Sequence, residues 1–186
     1  MQPILLDLPM ALHTERLLLR PPRAGDGPRV NAAIVASAPE LAAWMPWANP
    51  TPSVQETEVW CRRAAVHWLG REQLPFNLYL KGTDTCVGAC GLPRIKWDIP
   101  TAEIGYWVRT PDAGKGLIAE AVAEVTRFGL DVLKLRRLEI RCDDRNTRSS
   151  RVAERAGYAL EGILRNDSTD PGGEVRSTRV YALIAD

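Results

Sequence analysis

The sequence predicts one α/β domain, residues 1–186, built on a mixed, mostly antiparallel sheet of about seven strands flanked by about four helices. Three observations predict it. Ile104, Tyr106 and Val108 alternate with Gly105, Trp107 and Arg109, the period of a strand. A glycine-punctuated loop, Thr110 to Gly116, leads from this strand into a long amphipathic helix, Leu117 to Leu133, with Leu117, Ile118, Ala121, Val122, Val125, Phe128, Val132 and Leu133 at helical spacing. A further strand, Arg137 to Cys142, follows that helix, so the crossover places two strands parallel and right-handed in an otherwise hairpin-connected sheet.

The remaining elements follow from the same rules. Thr14 to Arg20 reads as a first strand, ended by Pro21-Pro22. Asp26 is a candidate cap for a helix over 27–38. An apolar, proline-broken segment from Leu41 to Trp47 comes next. Ser53 with Glu56 three residues on is a capping box for a helix that runs to Leu69 and stops at Gly70. Phe76 to Lys81 and Thr85 to Ile95 form a hairpin about Gly82-Thr83-Asp84. Asn146 is a good cap for a helix through Ala156, ended by Gly157. Tyr158 to Leu164 and Val175 to Ile184 close a last hairpin about Asp170-Pro171-Gly172-Gly173.

Composition excludes several classes of function. Among 186 residues, 45% are hydrophobic and 25% charged, and the net charge of +1 gives no general attraction to nucleic acid or to a membrane surface. No apolar run reaches the roughly 18 residues of a membrane span. Met1 to Leu12 has no basic segment and no cleavage site, so no signal peptide is expected. Cys61, Cys86, Cys90 and Cys142 form no CxxC pair, and Cys86 and Cys90, four apart in one strand, should share a face. Small buried thiols in a reducing cytosol are expected. His13 and His67 join no ligand cluster, so no metal is expected.

The loop has a physical use. The first N–H groups of a helix have no partner within it and carry partial positive charge. Gly114 and Gly116 let an anion approach the backbone, and Lys115 adds a mobile cation. A plain glycine turn before a buried helix is the alternative. The patterns GxGxxG and GxxxxGK[ST] are both absent.

Four pieces in this order, TERLLLRPP, AEIGYWV, GKGLIAEA and NTRSSRVAERAGYALEG, resemble the GNAT superfamily of acetyl-CoA-dependent N-acetyltransferases over nearly the whole chain. The set is most similar to the RimJ/RimL branch, which acetylates N-termini of ribosomal proteins. The resemblance implies the GNAT fold and acetyl-CoA as cosubstrate. The loop residues Asp112, Ala113, Gly114, Lys115, Gly116 and Leu117 would hold its diphosphate by backbone N–H groups. Tyr106, Trp107 and Val108 would pair with the pantetheine arm as an added strand does. Asn146 would contact the cofactor backbone or serve as a helix cap, or both, and Arg151 would reach a phosphate or be merely solvated. The Arg or Gln that usually opens the family motif is here Pro111, and the tyrosine expected seven residues after Asn146 is Ala153.

Acetylating an amine requires a base, a donor to the developing oxyanion and an acid for the departing thiolate. Glu103 is the first candidate base, with Asp98 and Asp167 in reserve. Ser149, three residues after Asn146, is the candidate acid. A carboxylate that some RimL-like enzymes use further on falls at Ser168. Trp44, Met45, Trp47 and Trp97, with Tyr106, are candidates to line the acceptor. The alternatives for these tryptophans is core packing. The acceptor is a peptide or protein N-terminus, or else a small amine such as an antibiotic, a polyamine or an amino-acid derivative. A coenzyme-binding sensor without catalysis is a third reading. Acetyltransferases of this type often pair, so a homodimer is compatible with the resemblance.

Overall fold

The computed structural model describes residues 2–185. Eight strands form one sheet: β1 (Leu12–His13), β2 (Leu17–Arg20), β3 (Leu74–Leu80), β4 (Cys86–Lys96), β5 (Thr101–Val108), β6 (Arg137–Asp143), β7 (Ala159–Thr169) and β8 (Val175–Ile184). Their spatial order is β1-β2-β3-β4-β5-β6-β8-β7. Five α-helices flank them: α1 (Gly27–Val35), α2 (Ala38–Ala42), α3 (Val54–Gly70), α4 (Leu117–Arg127) and α5 (Thr147–Arg155). Every neighbouring pair is antiparallel except β5 and β6, which run parallel across the α4 crossover. No helix among the described residues is long and apolar enough to cross a membrane.

Two apolar clusters occupy the two faces of the sheet. The larger joins α4 and Ala153 of α5 to Leu17, Leu19, Phe76, Leu78, Ile104, Leu138, Ile140 and Tyr181. The smaller joins Val30, Ala33 and Ile34 of α1 to Leu41, Cys61, Tyr79 and Cys86, with Met45 and Trp107 against it. Burial of these side chains, each worth about 1.5–3 kcal/mol for a large aliphatic or aromatic group, fixes which face each strand residue takes.

Several boundaries differ from the sequence expectation for identifiable reasons. Of the expected first strand, Thr14 to Arg20, only Leu17–Arg20 forms, as β2; a turn in which Thr14 and Leu17 share hydrogen bonds separates it from β1, which lies upstream at Leu12–His13. The apolar segment near Trp44 contains the short helix α2 and a single 3₁₀ turn, Pro46–Ala48. Asp26 does not cap α1 with its side chain. It takes Arg20 in a double hydrogen bond at 2.6 and 2.7 Å. Glu58 of α3 receives the amides of Gly25 and Gly27 instead, and these bonds pull its carboxyl down to about 2. The capping box of Ser53 and Glu56 is present. The left-handed cap of α3 is Arg71, not Gly70. After Arg127 the long helix widens to one π turn, Phe128–Val132. Cys86 and Cys90 do not share a face. A bulge opposite Leu78/Tyr79 inserts Val87, so Cys86 joins the smaller cluster and Cys90 the larger. All four cysteines are free and buried.

Candidate active site

The site begins where β5 parts from β6. Their parallel pairing ends at Glu103 opposite Glu139, whereas β5 goes on pairing with β4 as far as Val108 opposite Gly88. The Arg109 amide donates to the Val87 carbonyl at 2.8 Å. Antiparallel strands alternate which residues turn their main-chain groups toward a given neighbour. Arg109, Trp107 and Gly105 therefore face β4, and Tyr106 and Val108 turn their N–H and C=O groups into the gap. Gly88 permits this close pairing. Its φ is +149°, and a Cβ there would lie 2.2 Å from the Trp107 carbonyl oxygen.

Side chains of β5 divide between the two faces. Ile104, Tyr106 and Val108 lie on the face of α4 and α5. The Tyr106 phenol reaches α5, 2.9 Å from Ser149 Oγ and 3.1 Å from the Ser149 carbonyl. Burial keeps this phenol protonated by pushing its pKa up. Asn146 caps α5, its Oδ1 accepting from the Ser149 amide at 3.1 Å, which leaves its NH2 and one Oδ1 lone pair for a ligand. Arg151 is exposed on α5. On the opposite face, Trp107 meets Trp47, their ring centroids 6.1 Å apart. Met45 packs on the same cluster, and Trp44 is half-buried nearby in sequence.

Glu103 lies on the Trp107 face, its side chain 17% exposed. Burial raises its pKa above the ordinary carboxylate value, against the opposing effect of Arg94, whose Nη1 donates to Glu103 at 2.8 Å. Of the reserves, Asp167 belongs to the same charged face through Arg141, at 3.3 Å. Asp98 is exposed in the turn between β4 and β5, at the end of β5 away from the glycine loop. Trp97 is likewise apart from Trp47 and Trp107. Its indole N–H donates to the Arg71 carbonyl at 2.9 Å and its ring packs on the larger cluster, so it is a packing residue. Ser168 accepts a bond from Arg176.

Beyond β5 a 3₁₀ turn, Thr110–Asp112, opens the glycine loop. The Thr110 amide donates to Ser37 Oγ at 2.8 Å, tying the loop to the junction of α1 and α2. The Asp112 side chain is buried, and the amides of Asp112 and Ala113 already donate to the carbonyls of Arg109 and Thr110 at 2.8 and 3.0 Å, so neither is free to hold a diphosphate as the sequence suggests. Burial opposes ionisation of Asp112, but Lys115 at 2.7 Å and Arg109 at 2.8 Å hold its carboxyl below the usual range. Lys115 is thereby tethered, where a mobile cation was expected. Gly114 and Gly116 have φ of +77° and +80°, a region that favours glycine. The α4 ladder starts with the Glu120 amide donating to the Gly116 carbonyl at 3.1 Å, so the amides of Leu117, Ile118 and Ala119 have no helical acceptor. The Leu117 side chain itself is core. No atom lies within 4 Å of where a Cβ on Gly114 would stand.

The structure adds Arg16, Ser37, Arg94 and the Tyr106–Ser149 contact to the site. Arg16 lies inside the TERLLLRPP motif, a signal that was present without a role attached. The other contacts join residues far apart in the chain or across a hairpin and leave no local pattern.

The acetyltransferase (GNAT) domain family matches residues 16–159. The chain is similar to the uncharacterized N-acetyltransferase p20 of Bacillus licheniformis, 31% identical over 93% of this chain and 95% of that protein. It is also similar to the ribosomal-protein-serine acetyltransferase of Escherichia coli (strain K12), 34% identical over 55% of this chain and 57% of that one. Its fold matches the microcin C7 self-immunity acetyltransferase MccE, solved in complex with acetyl-CoA and AMP, with a TM-score of 0.87 at 20% identity over 96% and 98% of the two chains. The RimL ribosomal L7/L12 alpha-N-protein acetyltransferase, solved with coenzyme A, also superposes with a TM-score of 0.87, at 20% identity over 96% and 97%.

Proposed function

The chain belongs to the GNAT acetyltransferase family, and we propose that as a single catalytic domain it moves the acetyl group of acetyl-CoA directly to the N-terminal amine of a protein, such as a ribosomal protein. One observation carries this reading. The unpaired edge of β5, with the main-chain groups of Tyr106 and Val108 turned into the gap, leads straight to a loop of unpartnered helix amides.

The residues present fit the cosubstrate. The empty space beside Gly114, which a Cβ would enter, and the amides from Gly114 to Ala119 suit a diphosphate. The edge of β5 suits an extended amide-bearing arm. Acetyl-CoA, when bound, supplies the activated acyl group. The protein supplies the rest. An N–H from Tyr106 or Val108 donates to the acyl oxygen as charge builds there. Glu103, with its raised pKa, takes a proton from the ammonium, directly or through water, on the Trp47–Trp107 face. Ser149 Oγ donates toward the sulfur on the α5 face. Trp44, Met45 and Trp47, with Trp107, form the acceptor wall, where aromatic rings can hold a peptide backbone or a cation. Arg151 and the Asn146 NH2 stand at the cofactor end of α5.

The protein-amine reading is supported by the likeness to a ribosomal-protein-serine acetyltransferase. Four free, buried cysteines suit work in a reducing cytoplasm. The test measures thiol release from acetyl-CoA with a panel of N-terminal peptides against a panel of small amines, beside calorimetry with coenzyme A. Preferred turnover of peptides is expected. Preference for small amines overturns the acceptor assignment, and coenzyme binding without turnover of either panel overturns catalysis.

A further inference from the structure

Arg16 stands at the entrance of β2, next to the glycine loop. Its Nη1 donates to the Lys115 carbonyl at 2.8 Å, while Nε and Nη2 hold Glu120 Oε2 at 2.7 and 2.6 Å. Glu120 is fixed in turn by the Arg16 amide at 2.9 Å and by the Thr14 hydroxyl. The guanidinium is thus locked between the first turn of α4 and one peptide of the loop. The same Nη2 lies 3.5 Å from where a Cβ on Gly116 would stand.

This contact has a stereochemical consequence. In a trans peptide the C=O and the following N–H point in opposite directions. With the Lys115 carbonyl turned to Arg16, the Gly116 N–H faces away from Arg16. Gly116 does not enforce that orientation by itself. Glycine tolerates both signs of φ, and turning the 115–116 peptide over would exchange one sign for the other. Something outside the loop must select.

We infer that Arg16 is a positioning residue for diphosphate recognition: it holds the 115–116 peptide so that the Gly116 amide donates to the cosubstrate. This rests on the acetyl-CoA reading above. It also answers the absence of a long polar side chain at Pro111, because the loop is braced from β2 rather than from its own first residue. Arg16 acts through the Gly116 amide, not as a group that touches the reacting atoms.

The experiment uses the full chain with Arg16→Ala and Arg16→Lys. Removing Arg16 leaves Glu120 with the Thr14 hydroxyl and the residue-16 amide, so the fold should survive, and thermal denaturation checks this. Calorimetry with coenzyme A should show affinity lower by about 10- to 100-fold for Arg16→Ala, the loss expected of one hydrogen bond to a charged group. Arg16→Lys, whose single ammonium can hold the carbonyl or Glu120 but not both in a fork, should fall between. The second readout is selectivity between acetyl-CoA and S-acetylpantetheine, which lacks the diphosphate. The ratio of their KM values should collapse by the same factor in Arg16→Ala. Coenzyme affinity within twofold of the parent, or equal losses with both donors, overturns the assignment. Absence of any heat with the unmodified protein overturns the acetyl-CoA reading itself, and this inference with it.

Discussion

Exchange of Glu103 for Gln removes the group best placed to take the acceptor proton and keeps its shape. A general base contributes about 10²- to 10⁴-fold, so kcat/KM should fall by that factor. The pH profile carries more information than the magnitude. Glu103 acts only when ionised, and its folded pKa is raised by burial, so activity should be lost as pH falls through a value above the ordinary carboxylate range. A separate rise near the amine's own pKa, about 7.7–8.0 for an α-amino group, should be present in every variant.

Arg94 tests the assignment from the other side. It is 74% exposed, so its pair with Glu103 is worth about 0.2–1 kcal/mol, the range of solvent-screened ion pairs. Arg94 lowers the Glu103 pKa against the effect of burial, so Arg94→Ala should move the acidic limb up. Initial rates of thiol release between pH 5 and 9, with acceptor well below KM, measure both effects. An acidic limb that persists in Glu103→Gln, or one that moves down in Arg94→Ala, refutes Glu103 as the base.

Other outcomes follow from the same geometry. Ser149→Ala should cut kcat by roughly 10- to 100-fold, the loss of one hydrogen bond to a developing thiolate, while coenzyme affinity holds within about twofold, measured by steady-state rates and calorimetry; unaltered turnover would leave Ser149 as an ordinary residue of the first turn of α5. Gly114→Val places a β-branched side chain at φ +77° and into the space beside the loop, so coenzyme affinity should fall more than tenfold, whereas Gly114→Ala should share most of the stability loss with less effect on binding. Asp26→Asn should cost about 3 kcal/mol in urea unfolding at pH 7, the low end for breaking a buried pair, because Arg20 keeps 12% exposure. Burial works against the Asp26 charge, but Arg20 and the Arg23 amide outweigh it and depress its pKa. Its contribution is therefore present above the unfolded value, about 3.9, and lost as pH falls through the folded one, so the gap between parent and variant should close below about pH 4.

Local signals made most of the fold legible, because hydrophobic period, capping boxes and glycine–proline turns act within a few residues. Ser53 with Glu56 shows this: both halves of the box lie in one turn and both form. Asp26 shows the limit. Its sequence setting suits a cap, but a buried guanidinium six residues upstream competes for the same oxygens, and Glu58 from another helix takes over the amides. Cys86 and Cys90 fail for a related reason, since one bulge inverts every face downstream and no single-residue signal marks it. Trp97 shares with Trp44 and Trp47 only its residue type. The β4–β5 hairpin leaves it in the connecting turn, packed on the larger cluster, whereas Trp107, against Trp47, belongs to the smaller one.

What separates the two halves of the chemistry is the two-residue period of β5. Glu103 and Trp107 share one face, and Tyr106, against Ser149, lies on the other. A base and an acid on opposite faces of a closed sheet would have no common substrate. Here the sheet is not closed, because pairing with β6 stops at Glu103, so the first residue without a partner on that side lies beside the carboxylate. In the proposed reaction the odd-numbered residues would face the amine and the even-numbered ones the thioester, with the gap between β5 and β6 as their meeting place. The same alternation turns the amides of Tyr106 and Val108, rather than that of Trp107, into the gap. Moving the split by one residue along β5 would still leave a gap, but it would no longer open beside Glu103. The position of the last β5–β6 pair, more than any one side chain, is what makes Glu103 and Ser149 candidates for one reaction.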